Sequence, residues 1–369
     1  MPRGMTAPIA KPWINAIHAY TPGKATSDDG RVLIKLSANE NPLGCSADAT
    51  AALVQAGGTL ARYPDPAAND LRDALGKAYD LDAENIVCGT GSDELLNLIA
   101  MGYAGAGDEI IYVRYGFSVY DIAARKTAAT VIVAPDKDYG TDVDALLTLV
   151  TDKTRVVFVA NPNNPTGTFC DDAEIVRLHA GLPSDCVMVL DQAYGEYVEG
   201  DGPAAFTLAR QHSNVLITRT FSKIFGLAAE RIGWAYGPPG LIETLNRIRA
   251  PFNVTAAGQA AAIAALGDTD FVTQSRAHNL HWREWMAGEF ASLSNHGLIA
   301  IPSWGNFLMV MFEGSVSAEM AYNGLMDAGY IVRWLPGQGL GAGLRITIGS
   351  EDENRGVITA LRVILERQG

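Results

Sequence analysis

The chain has 369 residues, too many for one ordinary domain and comfortable for a large and a small one. Hydrophobic residues make up 48% and charged residues 19%, which describes a well-buried globular protein and excludes a disordered one. The net charge of −13 argues against nucleic acid and anionic membranes as partners, so an anionic substrate would need local arginines to overcome the overall field.

In chain order, residues 1–44 are too short to fold alone and read as an arm plus part of a small domain. Residues 45–267 then alternate apolar runs with helical patterns. Strands are predicted at 86–88, 109–113, 131–134, 155–160, 187–190, 215–218 and 232–236. Runs such as Val156-Val157-Phe158-Val159 and Val187-Met188-Val189-Leu190 do not alternate, as expected of strands covered on both faces. Helices are predicted between them at 92–103, 117–128 and 171–180, with a short one at 142–149 opened by an Asp142 cap. That order implies an α/β fold with a mainly parallel seven-stranded sheet between helices.

After Pro251 the texture changes. An alanine-rich helix is expected at 255–266 and one long helix at 270–293. A compact α+β pattern follows: strand 307–312, helix 317–328, strands 331–334 and 344–348, and helix 351–366. Residues 268–369 therefore read as a smaller C-terminal domain.

Cys45, Cys88, Cys170 and Cys186 are far apart and form no CxxC pair, so free thiols in a reducing cytoplasm are expected. The chain shows no basic-then-apolar leader and no apolar run long enough for a membrane helix. The histidines make no HExxH arrangement, and no metal site is expected.

In open α/β sheets, ligands gather at the carboxyl ends of strands. Four such ends carry polar chemistry here. Cys88-Gly89-Thr90-Gly91-Ser92-Asp93 runs into a helix, which suits a phosphate, although such turns also occur without a ligand. Asn161-Pro162-Asn163-Asn164-Pro165-Thr166-Gly167 is either a rigid loop or a device aiming Asn164 at a ligand. The apolar strand ending in Asp191 offers a catalytic carboxylate or a helix cap. The strand at 215–218 leads into Thr220, Ser222 and Lys223, where burial would lower the amine's pKa and make it a nucleophile able to form a Schiff base. Arg231 adds a permanent anion-binding fork. A cofactor with an aldehyde, a phosphate and a ring nitrogen would use all of them, and pyridoxal 5'-phosphate is that cofactor.

The stretches AYTPGK (19–24), KLSANENPLG (35–44), RYPDP (62–66), GTGSDELL (89–96), NPNNPTG (161–167), DQAYGEY (191–197), RTFSKIFGLAAERIGWAYG (219–237) and LRITIG (344–349) carry a resemblance. The chain resembles the fold-type I, pyridoxal-phosphate-dependent aminotransferases of class I/II. Within that group it is similar to the histidinol-phosphate aminotransferase family over nearly its whole length.

The resemblance implies that Lys223 carries the cofactor and later shuttles the proton at the substrate Cα. It implies that Asp191 pairs with the pyridinium nitrogen, and that Asn164 and Tyr194 bond the ring hydroxyl. Ser92, Asp93, Thr220, Ser222 and Arg231 would hold the phosphate, and Phe117 would stack on the ring unless it serves only the core. Tyr63 would reach the phosphate of a neighbouring subunit, which implies a homodimer with shared sites. Tyr20, Asn39, Arg333 and Arg345 would meet the substrate.

The implied reaction is transamination between L-histidinol phosphate and 2-oxoglutarate in histidine biosynthesis. Aromatic amino acids are the alternative substrates; O-phosphothreonine decarboxylation and non-catalytic ligand binding are more distant ones. Two departures stand out: Glu230 beside the phosphate arginine, and the glycine-rich LPGQGLGAG at 335–343.

Overall fold

A computed structural model describes residues 7–18, 30–198, 200 and 203–368. Among these residues, seven strands form one sheet in the order Ile86–Gly89, Gly233–Tyr236, Val215–Thr220, Val187–Asp191, Thr154–Ala160, Glu109–Val113, Thr130–Ala134. The last five run parallel, and Gly233–Tyr236 is antiparallel to both its neighbours.

Successive strand residues point to opposite faces of a sheet. Val157, Val159, Met188, Leu190 and Ile217 bury into one apolar cluster, and Val156, Phe158, Val187, Val189 and Leu216 into another. Both faces are therefore covered, which is why these runs are apolar at every position rather than at every second one. Each fully buried Val or Leu contributes roughly 1.5–3 kcal/mol relative to exposure.

The helix Ser92–Tyr103 has the predicted bounds. The one expected at 117–128 is shorter, Val119–Lys126. A tight turn precedes it, with Tyr115 at φ +60 and Gly116 N–H donating to Val113 O at 2.8 Å, so 117 and 118 form the exit from that turn. Asp142 caps Val143–Thr148 through a bond from Ala145 N–H at 2.9 Å.

A second, antiparallel sheet of the described residues has the order Leu298–Ala300, Phe307–Phe312, Leu340–Thr347, Arg333–Leu335. Leu308, Val310, Leu344 and Ile346 bury against Trp282, Met286 and Phe290 of the long helix Thr269–Ser292. The single strand expected at 331–334 is two strands. Tyr330–Ile331 pairs in parallel with Ile34–Lys35, whereas Arg333–Leu335 joins the four-stranded sheet. No helix among the described residues is long and apolar enough to cross a membrane.

Candidate active site

Strand register assembles the site. In the parallel sheet, Ala160 lies beside Asp191 and Asp191 beside Thr218, so their carboxyl-end groups converge. Gly233 is opposite both Thr220 and Gly89. Because its strand runs against both neighbours, its beginning lies at their carboxyl ends. That reversal brings Arg231, the Gly89–Glu94 turn and the Thr220–Lys223 segment to one edge.

Nearly all of the predicted residues line one cleft of about 1080 Å³, part of it open to solvent. Asp191 is buried at its floor. Tyr120 Oη donates to its Oδ2 at 2.7 Å and Thr218 Oγ1 to its Oδ1 at 3.1 Å. Burial pushes the carboxyl up to about 6, and the two hydroxyl bonds oppose that rise.

Lys223 Nζ donates to Ala38 O at 3.3 Å and stands 5.6 Å from the centroid of the Tyr194 ring. Burial, with Arg345 next in weight, lowers the amine to about 8. Burial likewise raises the Tyr194 phenol to about 12. Asn39 Nδ2 donates to Tyr194 Oη at 2.8 Å, while Thr347 Oγ1 accepts from Asn39 N–H at 3.0 Å and donates to Asn39 Oδ1 at 3.1 Å. Asn39 thus has both ends of its amide engaged by protein, from a backbone held at φ +58. It lines the cleft, where the resemblance places a substrate contact, and it also braces Tyr194.

At the opposite end, Arg231 Nη1 donates to Ser222 Oγ at 3.0 Å and to Ala228 O at 3.0 Å, and its Nη2 lies 3.6 Å from Asp93 Oδ2. Thr220 Oγ1 bonds Ser222 Oγ at 3.0 Å. The helix Ser92–Tyr103 begins here behind Gly91 with no side-chain cap, leaving its first-turn N–H groups for an anion. Arg345 Nη1 donates to Asn164 Oδ1 and Nη2 to Ser37 O, both at 2.6 Å. This uses the acceptor end of the Asn164 amide. Arg333 lines the same cleft, and Phe117 adds an aromatic wall.

Three predicted points fall elsewhere. Tyr63 is 81% exposed, stacked on Phe252 with centroids 4.5 Å apart, and does not line this cleft. Tyr20 lies outside the described residues. Glu230, half-buried in the turn Ala228–Glu230, does not line the cleft.

A family model described as aminotransferase class I and II matches residues 31–361. The chain belongs to the class I and II aminotransferases. Histidinol-phosphate aminotransferase from Sphingopyxis alaskensis is 60% identical over 361 residues, covering 96% of this chain and 97% of that one. The enzyme of the same name from Erythrobacter litoralis is 60% identical over 351 residues, covering 94% and 95%. Among solved structures, histidinol-phosphate aminotransferase from Sinorhizobium meliloti in complex with pyridoxal-5'-phosphate superposes with a TM-score of 0.91 at 29% identity, covering 99% of this chain and 100% of that one.

The donor set fits the cofactor of that aminotransferase complex. One end of the cleft offers an arginine, hydroxyls and helix N–H groups to a phosphate. The floor offers a buried carboxylate to a ring nitrogen, and an amine with a lowered pKa lines the same cleft. Ser37 Oγ, buried beside the cleft, has no hydrogen-bond partner among the described residues.

Two groups of this aminotransferase site escape sequence reasoning, Tyr120 and Thr218. Tyr120 is the last residue of GFSVY, three positions after Phe117; spacing alone gives no sign that its hydroxyl meets Asp191. Thr218 ends a run that reads simply as β-branched core.

Proposed function

We propose that this chain transfers the amino group between glutamate and the keto partner of L-histidinol phosphate, using pyridoxal 5'-phosphate, as a step of histidine biosynthesis. The observation that carries the reading is a cleft with two anion poles, Arg231 at one and Arg333 with Arg345 at the other, and one depressed-pKa lysine influenced by both. Relatives 60% identical over almost the whole chain bear the name of this activity.

In this reading Arg231, Ser222, Thr220 and the N–H groups at Ser92 and Asp93 hold the cofactor phosphate. Asp191 faces the ring nitrogen, Asn164 and Tyr194 the ring hydroxyl, and Phe117 the ring face. When bound, the cofactor supplies the electron sink for the substrate's α-carbon. Lys223 Nζ would take the proton from the substrate Cα and serve as its shuttle, a role that needs the amine free of its proton. Arg345 grips the substrate's carboxylate or phosphate from a buried, braced position, and Arg333 supplies a second charge for a dianion.

The cleft lies, on this reading, between a large cofactor domain at 45–267 and a small domain at 268–369, with 1–44 as arm and part of the latter. The exposed Tyr63 supports a homodimer in which it reaches the partner's cofactor phosphate, and Tyr20 of the arm would meet the substrate's anionic end. Four separate thiols fit a cytoplasmic enzyme.

The deciding experiment compares kcat/KM for L-histidinol phosphate and L-phenylalanine with 2-oxoglutarate as acceptor. A strong preference for the phosphate ester is expected. A ratio at or below one would move the chain to the aromatic aminotransferases.

A further inference from the structure

Asp191 is held at both oxygens by hydroxyl groups. Thr218 sits opposite it in strand register, so the sheet itself places the Oγ1 that meets Oδ1 at 3.1 Å. The other oxygen, Oδ2, is met at 2.7 Å by Tyr120, which belongs to the helix Val119–Lys126 rather than to the sheet. The Tyr120 ring is 1% exposed. It lies flat on Phe158, with centroids 4.9 Å apart and planes within 1°, and stands at 89° to Phe117. Phe158 is on the strand next to that of Asp191. Stacking on that strand fixes the phenol's height, so its hydroxyl arrives at one point.

We propose that Tyr120 is the positioning residue of Asp191: its hydroxyl fixes the carboxylate's rotation and keeps it ionised, so that the remaining lone pairs meet the cofactor's ring nitrogen in a single orientation. The inference rests on the reading of Asp191 as that nitrogen's partner. The terminal torsion of an aspartate is broad, so a carboxylate tethered at one oxygen can still turn about that tether. Buried without the Tyr120 donor, it either turns or takes up a proton, and both outcomes weaken its hold on a positively charged ring. Phe117 shares the arrangement: the tyrosine that orients the acid also supports the aromatic wall of the cleft.

A double-mutant cycle tests this, read by equilibrium binding of pyridoxal phosphate and by melting of each apo chain. Tyr120→Phe removes one oxygen and keeps the stack on Phe158. The expected result is cofactor affinity weakened about tenfold by Tyr120→Phe alone, and changed by about twofold or less when it is added to Asp191→Asn. At saturating cofactor, kcat falls while KM for glutamate holds. Equal losses in both backgrounds, or none in either, overturn the proposal. If Tyr120→Phe does not fold, melting decides: unfolding confined to the chain that keeps the Asp191 carboxylate supports the proposal, and unfolding in both backgrounds overturns it. Failure of the wild-type chain to bind pyridoxal phosphate would overturn the cofactor reading itself, and this inference with it.

Discussion

Arg333 and Arg345 stand directly opposite each other on adjacent antiparallel strands, and both line the cleft. Like charges so placed repel, and an anion binding at both would relieve that repulsion. A dianionic phosphate can use two guanidinium groups, whereas a carboxylate is satisfied by the buried, braced Arg345. Arg333→Gln is therefore expected to lower kcat/KM for L-histidinol phosphate by about 10- to 100-fold and for glutamate by only about threefold or less. Steady-state kinetics on both donors decide it, and equal losses would show that Arg333 does not read the second charge.

The amine of Lys223 is expected to lose its proton near pH 8, lowered first by burial and then by Arg345. In the apo chain, the rate of cofactor capture should rise with pH through that midpoint, because only the neutral amine attacks an aldehyde. Removing a neighbouring positive charge relaxes the depression, so Arg345→Gln should move the midpoint upward. The stability sign follows. The folded lysine binds its proton less well than the unfolded one at 10.5, so apo stability rises as pH climbs from about 8 towards 10.5. A midpoint that stays put in Arg345→Gln would remove the arginine from this account.

Much of this site was legible in the sequence because its chemistry sits at strand ends, and the strands are apolar runs that local pattern reveals. Asp191, Lys223 and Arg231 could be placed from the residues before and after them. What was not legible depends on tertiary partners. The break between Ile331 and Arg333 leaves no mark in Tyr330-Ile331-Val332-Arg333-Trp334, since it is set by which sheet each half joins. Tyr120 looked like one more apolar helix residue, and only the Asp191 contact 71 positions away gives its hydroxyl a purpose. Asn39 lies in KLSANENPLG, but nothing local in that stretch shows that its amide bonds Tyr194 and Thr347, two groups distant in sequence.

Asp191 is held for function at the expense of the empty fold. Burial raises its folded pKa to about 6 from an ordinary 3.8, so the folded chain binds a proton more tightly than the unfolded one. Apo stability should fall as pH rises between about 4 and 6 and stay lower above, by on the order of 3 kcal/mol at neutral pH. Asp191→Asn removes that titration and leaves both hydroxyl partners something to bond. Its apo form should melt higher than the wild type at pH 7, with the difference gone near pH 3.5, while its cofactor binds weakly. A variant that melts lower at both pH values would contradict the assignment of that cost to the carboxylate.

The phosphate end depends on a missing side chain. A Cβ on Gly91 would stand 2.5 Å from Arg231 Nη2, and the backbone there is at φ +78. Gly91→Ala therefore combines a backbone strain of roughly 1–3 kcal/mol, because φ +78 with ψ 166 is a conformation that essentially only glycine adopts, with a collision against the guanidinium. Arg231 must swing away from its bond to Ser222 Oγ. Gly107→Ala separates the two effects, because Gly107 also has a positive φ, +98, with nothing within 4 Å of the added carbon. Both variants should lose melting temperature through backbone strain. Only Gly91→Ala should lose pyridoxal phosphate affinity, by about 10- to 100-fold, the worth of one or two charge-assisted bonds to a phosphate. Equilibrium titration of the two apo variants makes the comparison. If they bind the cofactor equally well, the space beside Gly91 is not what seats Arg231 against the phosphate.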